Sequence, residues 1–277
     1  MTDNSRFNAV RSTPRPDLDD LRGYTLPLSP TGRSSLVPPP PWHFTGEVLY
    51  IEYRVDPGAV RRLLPAALRD GEIDGRAAAM FGDWQSCTDG GAELLDPVRA
   101  QHREFNVILS CEWRGAPVVR CPFCWVDSDV SLVRGLIQGF PKKLGSIALT
   151  RSFGLGHAGA PTQPGTSFAG TLAAGHRRLA EAQVTLTEPA ELPDLMRRPM
   201  IHTRQFPAWT PDGGAVSELV TGGSSDQITA NVWKGDAKLS FFESPTDDLA
   251  SLAPVEILAG YRFSFAETLT AGRPVEP

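Results

Sequence analysis

The chain has 277 residues, 21% of them charged and 41% hydrophobic, ordinary values for a globular protein long enough to bury a sizeable core. With 27 Lys and Arg against 32 Asp and Glu the formal net charge is −5, and no basic run is long enough to follow a phosphate backbone, which argues against a nucleic-acid partner. No apolar run approaches the ~20 residues that span a bilayer, and the opening MTDNSRFNAV lacks the apolar core of a signal peptide, so no membrane partner is expected and a cytoplasmic location is the default.

Residues 1–41 alternate polar clusters with prolines and end in Pro38-Pro39-Pro40-Pro41, a run that cannot enter a sheet interior. They read as an N-terminal arm, and residues 42–277 as one domain. The arm has no obvious place in that domain, so a homo-oligomer is expected. From Val48 to Val55 the apolar Leu49, Ile51, Tyr53 and Val55 recur at every second position, the period of a half-buried strand. Asp56 then suits a helix N-cap and Pro57 the first helical position, with Val60, Leu63 and Leu64 as the apolar stripe and Pro65 as the limit.

A strand over 104–113 puts Phe105, Val107, Leu109, Cys111 and Trp113 on one face and leaves Glu104 at the edge of the more polar one. Residues 118–126 read as another strand. Asp127-Ser128-Asp129 can cap a helix with Val130, Val133, Leu136 and Ile137 along its apolar side, ended by Gly139 and Pro141. The remainder reads as strands at 145–153, 166–173, 176–187, 215–221, 226–233, 237–242 and 255–269, with Gly222-Gly223 and Gly235-Asp236 as turns. Strands do not alternate with helices, so the fold class is mainly β (α+β), a single domain on a curved or closed antiparallel sheet with a few short helices.

Cys121-Pro122-Phe123-Cys124 has the spacing of a redox or zinc half-site. It sits in an extended apolar segment without a second close pair, however, and reads as buried strand cysteines. His43, His102, His157, His176 and His202 show no metal spacing, so no metal is expected.

The most unusual local sequence is Gly139-Phe140-Pro141-Lys142-Lys143-Leu144-Gly145. Two adjacent lysines usually mark a solvated turn. Here apolar residues bracket them, and an amine held among apolar groups favours its uncharged, nucleophilic form. This run is similar to the lysine motif of the acetoacetate decarboxylase family. Tyr53-Arg54-Val55-Asp56, Trp125-Val126-Asp127-Ser128-Asp129, the stretch from Arg198-Pro199 to Pro207, and Glu218-Leu219-Val220 also resemble that family, over roughly residues 42–270. The resemblance implies a cone-like antiparallel β-barrel around an active site. It also implies a Schiff base on Lys142, an adjacent cation at Lys143, and an acid or base at Glu104.

Two positions depart from that pattern. Decarboxylases of the family carry an arginine where this chain has Gly46, and an Arg-Glu pair where it has Gly135-Leu136. Gln138, four residues before Lys142, instead resembles divergent relatives that form Schiff bases with pyruvate and run aldol condensation and dehydration. By the same resemblance Tyr261 is a candidate proton donor. The pyruvate carboxylate sits on the iminium carbon, where the electrons left by departing carbon dioxide could not delocalise, whereas the methyl group can lose a proton and attack an aldehyde. The expected partners are therefore a small keto acid and an aldehyde, with no cofactor. Decarboxylation of acetoacetate or another β-keto acid, and a non-catalytic barrel that binds a small molecule, remain the alternatives.

Overall fold

The computed structural model describes residues 20–275 and divides into two compact units, Met1–Pro39 and Pro40–Pro277. In the described part of the first, Arg22 and Ser29 form an antiparallel bridge. The Ser35 hydroxyl there accepts from the backbone N–H groups of Tyr24 and Thr25 at 3.1 and 2.9 Å. Residues 1–19 of the expected arm lie outside the described residues.

The second unit is mainly β. Its strands are β1 (Trp42–Arg54), β2 (Arg76–Cys87), β3 (Gln101–Trp113), β4 (Ala116–Val126), β5 (Lys142–Leu144), β6 (Ser146–Leu149), β7 (Ser167–Ala174), β8 (Arg177–Pro189), β9 (Ile201–Phe206), β10 (Val216–Thr221), β11 (Ser224–Phe241) and β12 (Glu256–Leu269). Ten of them form one curled sheet in the order β5-β4-β3-β2-β1-β12-β11-β8-β7-β6, and β9 and β10 pair separately. Neighbours in the large sheet are antiparallel except β4 and β5, which run parallel.

Both faces of the central strands are covered, and side-chain alternation decides which core each residue joins. Leu49, Ile51 and Tyr53 of β1 join Phe81, Phe105 and Leu109 in the main core, together with Phe168 and Leu172 of β7 and Val184 of β8. The curl brings β7 across β2 so closely that a Cβ on Gly170 would lie 2.7 Å from Cγ of Phe81. Val48 and Tyr50 face the other way and join Met80, Trp84, Ile108, Phe263 and Phe265. The functional cavity opens on this second face.

Strands β5 and β9 were not anticipated, and three further differences have a physical reason. Strand β2 was not anticipated, because Ala77, Ala78 and Ala79 have weak strand propensity and, with both faces buried, carry no alternation. Strand β11 runs straight through Gly235-Asp236 instead of turning there. Its register against β8 shifts between Lys234 and Gly235, and a Cβ at 235 would lie 1.9 Å from the Thr185 carbonyl oxygen, so the glycine serves a close approach at a bulge.

The third difference is in a helix. Of the short helices, α1 (Pro57–Leu63) is capped by Asp56, whose carboxylate accepts from the N–H groups of Gly58 and Ala59 at 3.2 and 3.0 Å. Helix α2 spans Pro97–Ala100 and α4 Asp194–Arg197. Helix α3 (Asp129–Gln138) is capped by Ser128, but it buries Val130, Ser131, Arg134 and Gly135, and Leu136 is 39% exposed. The inward face is thus the small and polar one, because it is shaped to hold a lysine side chain. Among the described residues no helix is long and apolar enough to cross a membrane.

Candidate active site

A cavity of about 670 Å³ lies on the second face of the sheet, and Lys142, Glu104, Asn106, Gln138, His102 and His202 are among its lining residues. Lys142 opens β5, and its position follows from α3. A Cβ on Gly135 would lie 2.3 Å from Cδ and 2.5 Å from Cε of Lys142. Only a glycine at that helical position leaves room for the lysine methylenes. One helical turn earlier, Ser131 receives the far end of the side chain. Lys142 Nζ donates to Ser131 Oγ at 3.0 Å and lies 2.7 Å from Oε2 of Glu104, with the two side chains only 6% and 9% exposed.

Glu104 is held in turn by Asn106, whose Nδ2 donates to Oε1 at 2.8 Å. The two lie on the same face of β3, opposite Gly82 and Met80 of β2. Behind them Arg134 is buried, with its guanidinium 4.4 Å over the Phe44 ring and donating to Ser86 Oγ at 3.1 Å. Burial pulls Arg134 down to about 10, opposed by the nearby carboxylates of Glu104 and Glu93. Such a value keeps it a cation at neutral pH.

Two histidines complete the floor. Burial, with the charges of Lys142 and Arg134, holds His102 well below its usual value. Burial, then Arg120 and Lys142, lowers His202 to about 3. Both are therefore neutral imidazoles at physiological pH. His202 also packs on Phe140, ring centroids 4.0 Å apart, beneath the turn at Gly139, whose φ of +94° and crowding against His202 Cβ require glycine. Across the cavity Glu267 of β12 accepts from Ser224 Oγ at 2.6 Å, and burial, reinforced by the charge of Glu104, raises its carboxyl.

Of the residues singled out in the sequence, Lys142, Glu104 and Gln138 line one cavity. Lys143 and Tyr261 are not among its lining residues. Lys143 is turned to the opposite face of β5, where its ammonium pairs with Asp247 and lies 4.7 Å over the Trp125 ring. Tyr261 lies opposite Tyr50 of β1 and meets its ring edge-on at 6.3 Å. Arg134, His102, His202 and Glu267 had no motif to announce them. The spacing of Ser131 and Gly135 ahead of the lysine was the available signal, since two small residues one turn apart leave a groove along a helix.

The two departures from the family pattern also gain a physical content. Gly135 makes way for Lys142 itself. Gly46 makes way for Trp84, because a Cβ there would lie 2.5 Å from Cε3 of that indole. The four cysteines are free thiols, three of them buried, and burial pushes Cys111 up to about 12.

A carboxylate in contact with an amine can take its proton and free the nitrogen to attack a carbonyl carbon, while a hydroxyl beside it holds the nitrogen in place. Known proteins resemble the chain along nearly its whole length. Enduracididine biosynthesis enzyme MppR, in a structure complexed with the condensation product of pyruvate and imidazole 4-carboxaldehyde, is 46% identical with a TM-score of 0.87, covering 92% of this chain and 96% of that one. An acetoacetate decarboxylase-like enzyme from Sphingomonas wittichii RW1 is 29% identical with a TM-score of 0.85, covering 92% and 99%. An acetoacetate decarboxylase from Streptomyces nogalater is 28% identical over 93% of this chain and 96% of its own length. The family model for acetoacetate decarboxylase (ADC) matches residues 25–277, and the chain belongs to that family.

Proposed function

We propose that the chain is a lysine Schiff-base enzyme that condenses pyruvate with an aldehyde and then eliminates water. The observation that carries the reading is the buried Lys142 Nζ, 2.7 Å from Glu104 at the floor of a cavity far larger than a keto acid of six heavy atoms needs. Its support among relatives is MppR, 45% identical, in a structure complexed with pyruvate, and the condensation product held by the same enzyme.

Glu104 takes the amine proton, Nζ adds to the pyruvate carbonyl, and Glu104 returns the proton to the carbinolamine oxygen, so that water leaves and the iminium forms. The iminium withdraws electrons, so the methyl carbon yields a proton to Glu104 and an enamine forms. Its carbon attacks the aldehyde, whose oxygen becomes a hydroxyl. A second proton loss expels that hydroxyl as water, with the proton it needs supplied by Glu267, a carboxyl that burial holds toward its acid form. Hydrolysis returns the free lysine and an unsaturated keto acid, so pyruvate and aldehyde give this product and one water. Gln138 offers its amide to the pyruvate carboxylate. The neutral His102 and His202 add no charge that would compete for it.

The test is intact mass after borohydride treatment, with pyruvate and acetoacetate offered separately to the parent protein and to Lys142→Ala. A pyruvate adduct on the parent and none on the variant is the expected result, with no carbon dioxide released. Carbon dioxide from acetoacetate would favour decarboxylation. A folded parent protein that gains no mass from either compound would overturn the Schiff-base reading and leave a binding protein.

A further inference from the structure

The step that joins the two substrates creates a charge for which a donor has to be found. When the enamine carbon attacks, a pair of electrons moves onto the aldehyde oxygen, and a buried oxyanion is costly unless a hydrogen-bond donor meets it. Most donors at the reactive end of the cavity are already committed. Lys142 is bonded to pyruvate, Asn106 Nδ2 donates to Glu104, and Gln138 serves the pyruvate carboxylate. His202 Nδ1 is sealed in the wall. The arginines of the lining belong to the other end. Arg198 donates to Asp194 and Ser110, and Ser110 lies six residues along β3 from Glu104, about 20 Å away. Arg197 turns to Glu191.

His102 is placed differently. It precedes Glu104 by two residues on β3, so the two side chains leave the same face with Cα atoms about 6.7 Å apart, and both line the cavity. Its 6% exposure compares with 7% for Glu104 and 9% for Lys142, the depth of the reacting groups themselves. Phe44 meets the ring edge-on, centroids 6.3 Å apart at 81°, which restrains the plane of the imidazole. Among the described residues neither ring nitrogen has a hydrogen-bond partner, and neither is one of the polar atoms sealed from solvent. Burial and the charges of Lys142 and Arg134 keep the ring neutral. A neutral imidazole carries one N–H in either tautomer, and such a ring can polarise a carbonyl without bringing a charge.

We propose that His102 is a further catalytic residue, whose imidazole N–H donates to the aldehyde oxygen as the carbon–carbon bond forms. The inference rests on the condensation reading above and deepens it by giving the second half of the reaction its own group. The enamine π pair becomes the new carbon–carbon bond while the nitrogen lone pair restores the iminium. The aldehyde π pair passes to the oxygen beside His102, and that oxygen then takes the proton Glu104 removed from the methyl group.

The experiment reads the two halves separately in the parent protein, His102→Leu and His102→Phe, the second of which refills the space beside Phe44. Borohydride-trapped pyruvate and deuterium exchange into the pyruvate methyl group report the first half, and neither involves an aldehyde. The second half is kcat/KM, at saturating pyruvate, for imidazole 4-carboxaldehyde, the aldehyde whose pyruvate condensation product MppR holds. Expected in a variant that circular dichroism shows to be folded is trapping and exchange within about threefold of the parent and condensation about 100-fold slower, the usual cost of losing one oxyanion donor. A folded variant that condenses within about threefold of the parent overturns the role of His102, as does one that loses both halves equally. Failure of the condensation reading shows instead in the parent, as pyruvate that is neither trapped nor exchanged.

Discussion

The substitution Gly135→Ala separates the function of helix α3 from its stability. The added methyl would meet Cδ, Cε and Cγ of Lys142 at 2.3, 2.5 and 2.8 Å, where ordinary carbon contacts lie at ~3.5–4.0 Å. The lysine methylenes must therefore withdraw by roughly 1 Å. They can do so cheaply because they end a flexible chain, and alanine returns up to about 1 kcal/mol of helix propensity. Net stability should stay within about 1 kcal/mol of the parent, a few degrees or less in Tm for a chain of this size. The amine, however, follows its methylenes. Nζ now sits 3.0 Å from Ser131 of the same helix, and withdrawal from the helix by this amount carries it to roughly 4 Å, outside hydrogen-bond range. A misplacement of that order at a reacting atom costs about 100-fold in rate. The assay is the initial rate of borohydride-trapped pyruvate adduct, read beside far-UV circular dichroism and thermal melting. A folded Gly135→Ala that traps within about threefold of the parent would refute the argument that this glycine sets the lysine.

Ser131→Ala removes one of the two polar partners of Nζ; trapping by pyruvate should slow about tenfold, and because a buried hydrogen bond to a charged group is worth about 1.5–3 kcal/mol, the melting temperature should fall by several degrees. Stability should fall on acidification below pH ~6.5, because the unfolded chain then binds a proton at His202 that the folded chain, with its value lowered to about 3, refuses. At pH 5 that amounts to about 2 kcal/mol, and His202→Leu should flatten the decline in melting temperature between pH 7 and pH 5.

Much of the fold could be read from residue order because it is written locally. The Asp56 cap, the alternation of β1 from Val48 onward, the helix after Ser128 and the Phe140–Gly145 motif each carry a signal within a few residues, although β1 itself begins at Trp42. Lys142, Glu104 and Gln138 reach one cavity from such segments. What escaped was of two kinds. Hydrophobic periodicity assumes that apolar residues face inward, and α3 inverts the rule by burying Ser131, Arg134 and Gly135 where the site needs room and charge. Long-range pairing leaves no local mark at all. Glu267 and Ser224 arrive because β12 lies between β1 and β11, and His202 arrives on a separate pair of strands. Lys143 shows a third effect. The reading of two adjacent cations supposes a turn, but β5 is a strand, and its twofold alternation sends neighbouring side chains to opposite faces.

That alternation has a consequence for endurance. Strand β5 is three residues long, ends the sheet order and hangs on a single parallel ladder to β4, a place where local opening is least costly. Lys143 ties it to Asp247 on one side while α3 grips Lys142 on the other. The nucleophile is thus mounted on a clasp at the border of the fold, held by two fastenings and separable from the rigid core. Heating should release the clasp before the core melts, and the protein would then stand folded with its lysine adrift.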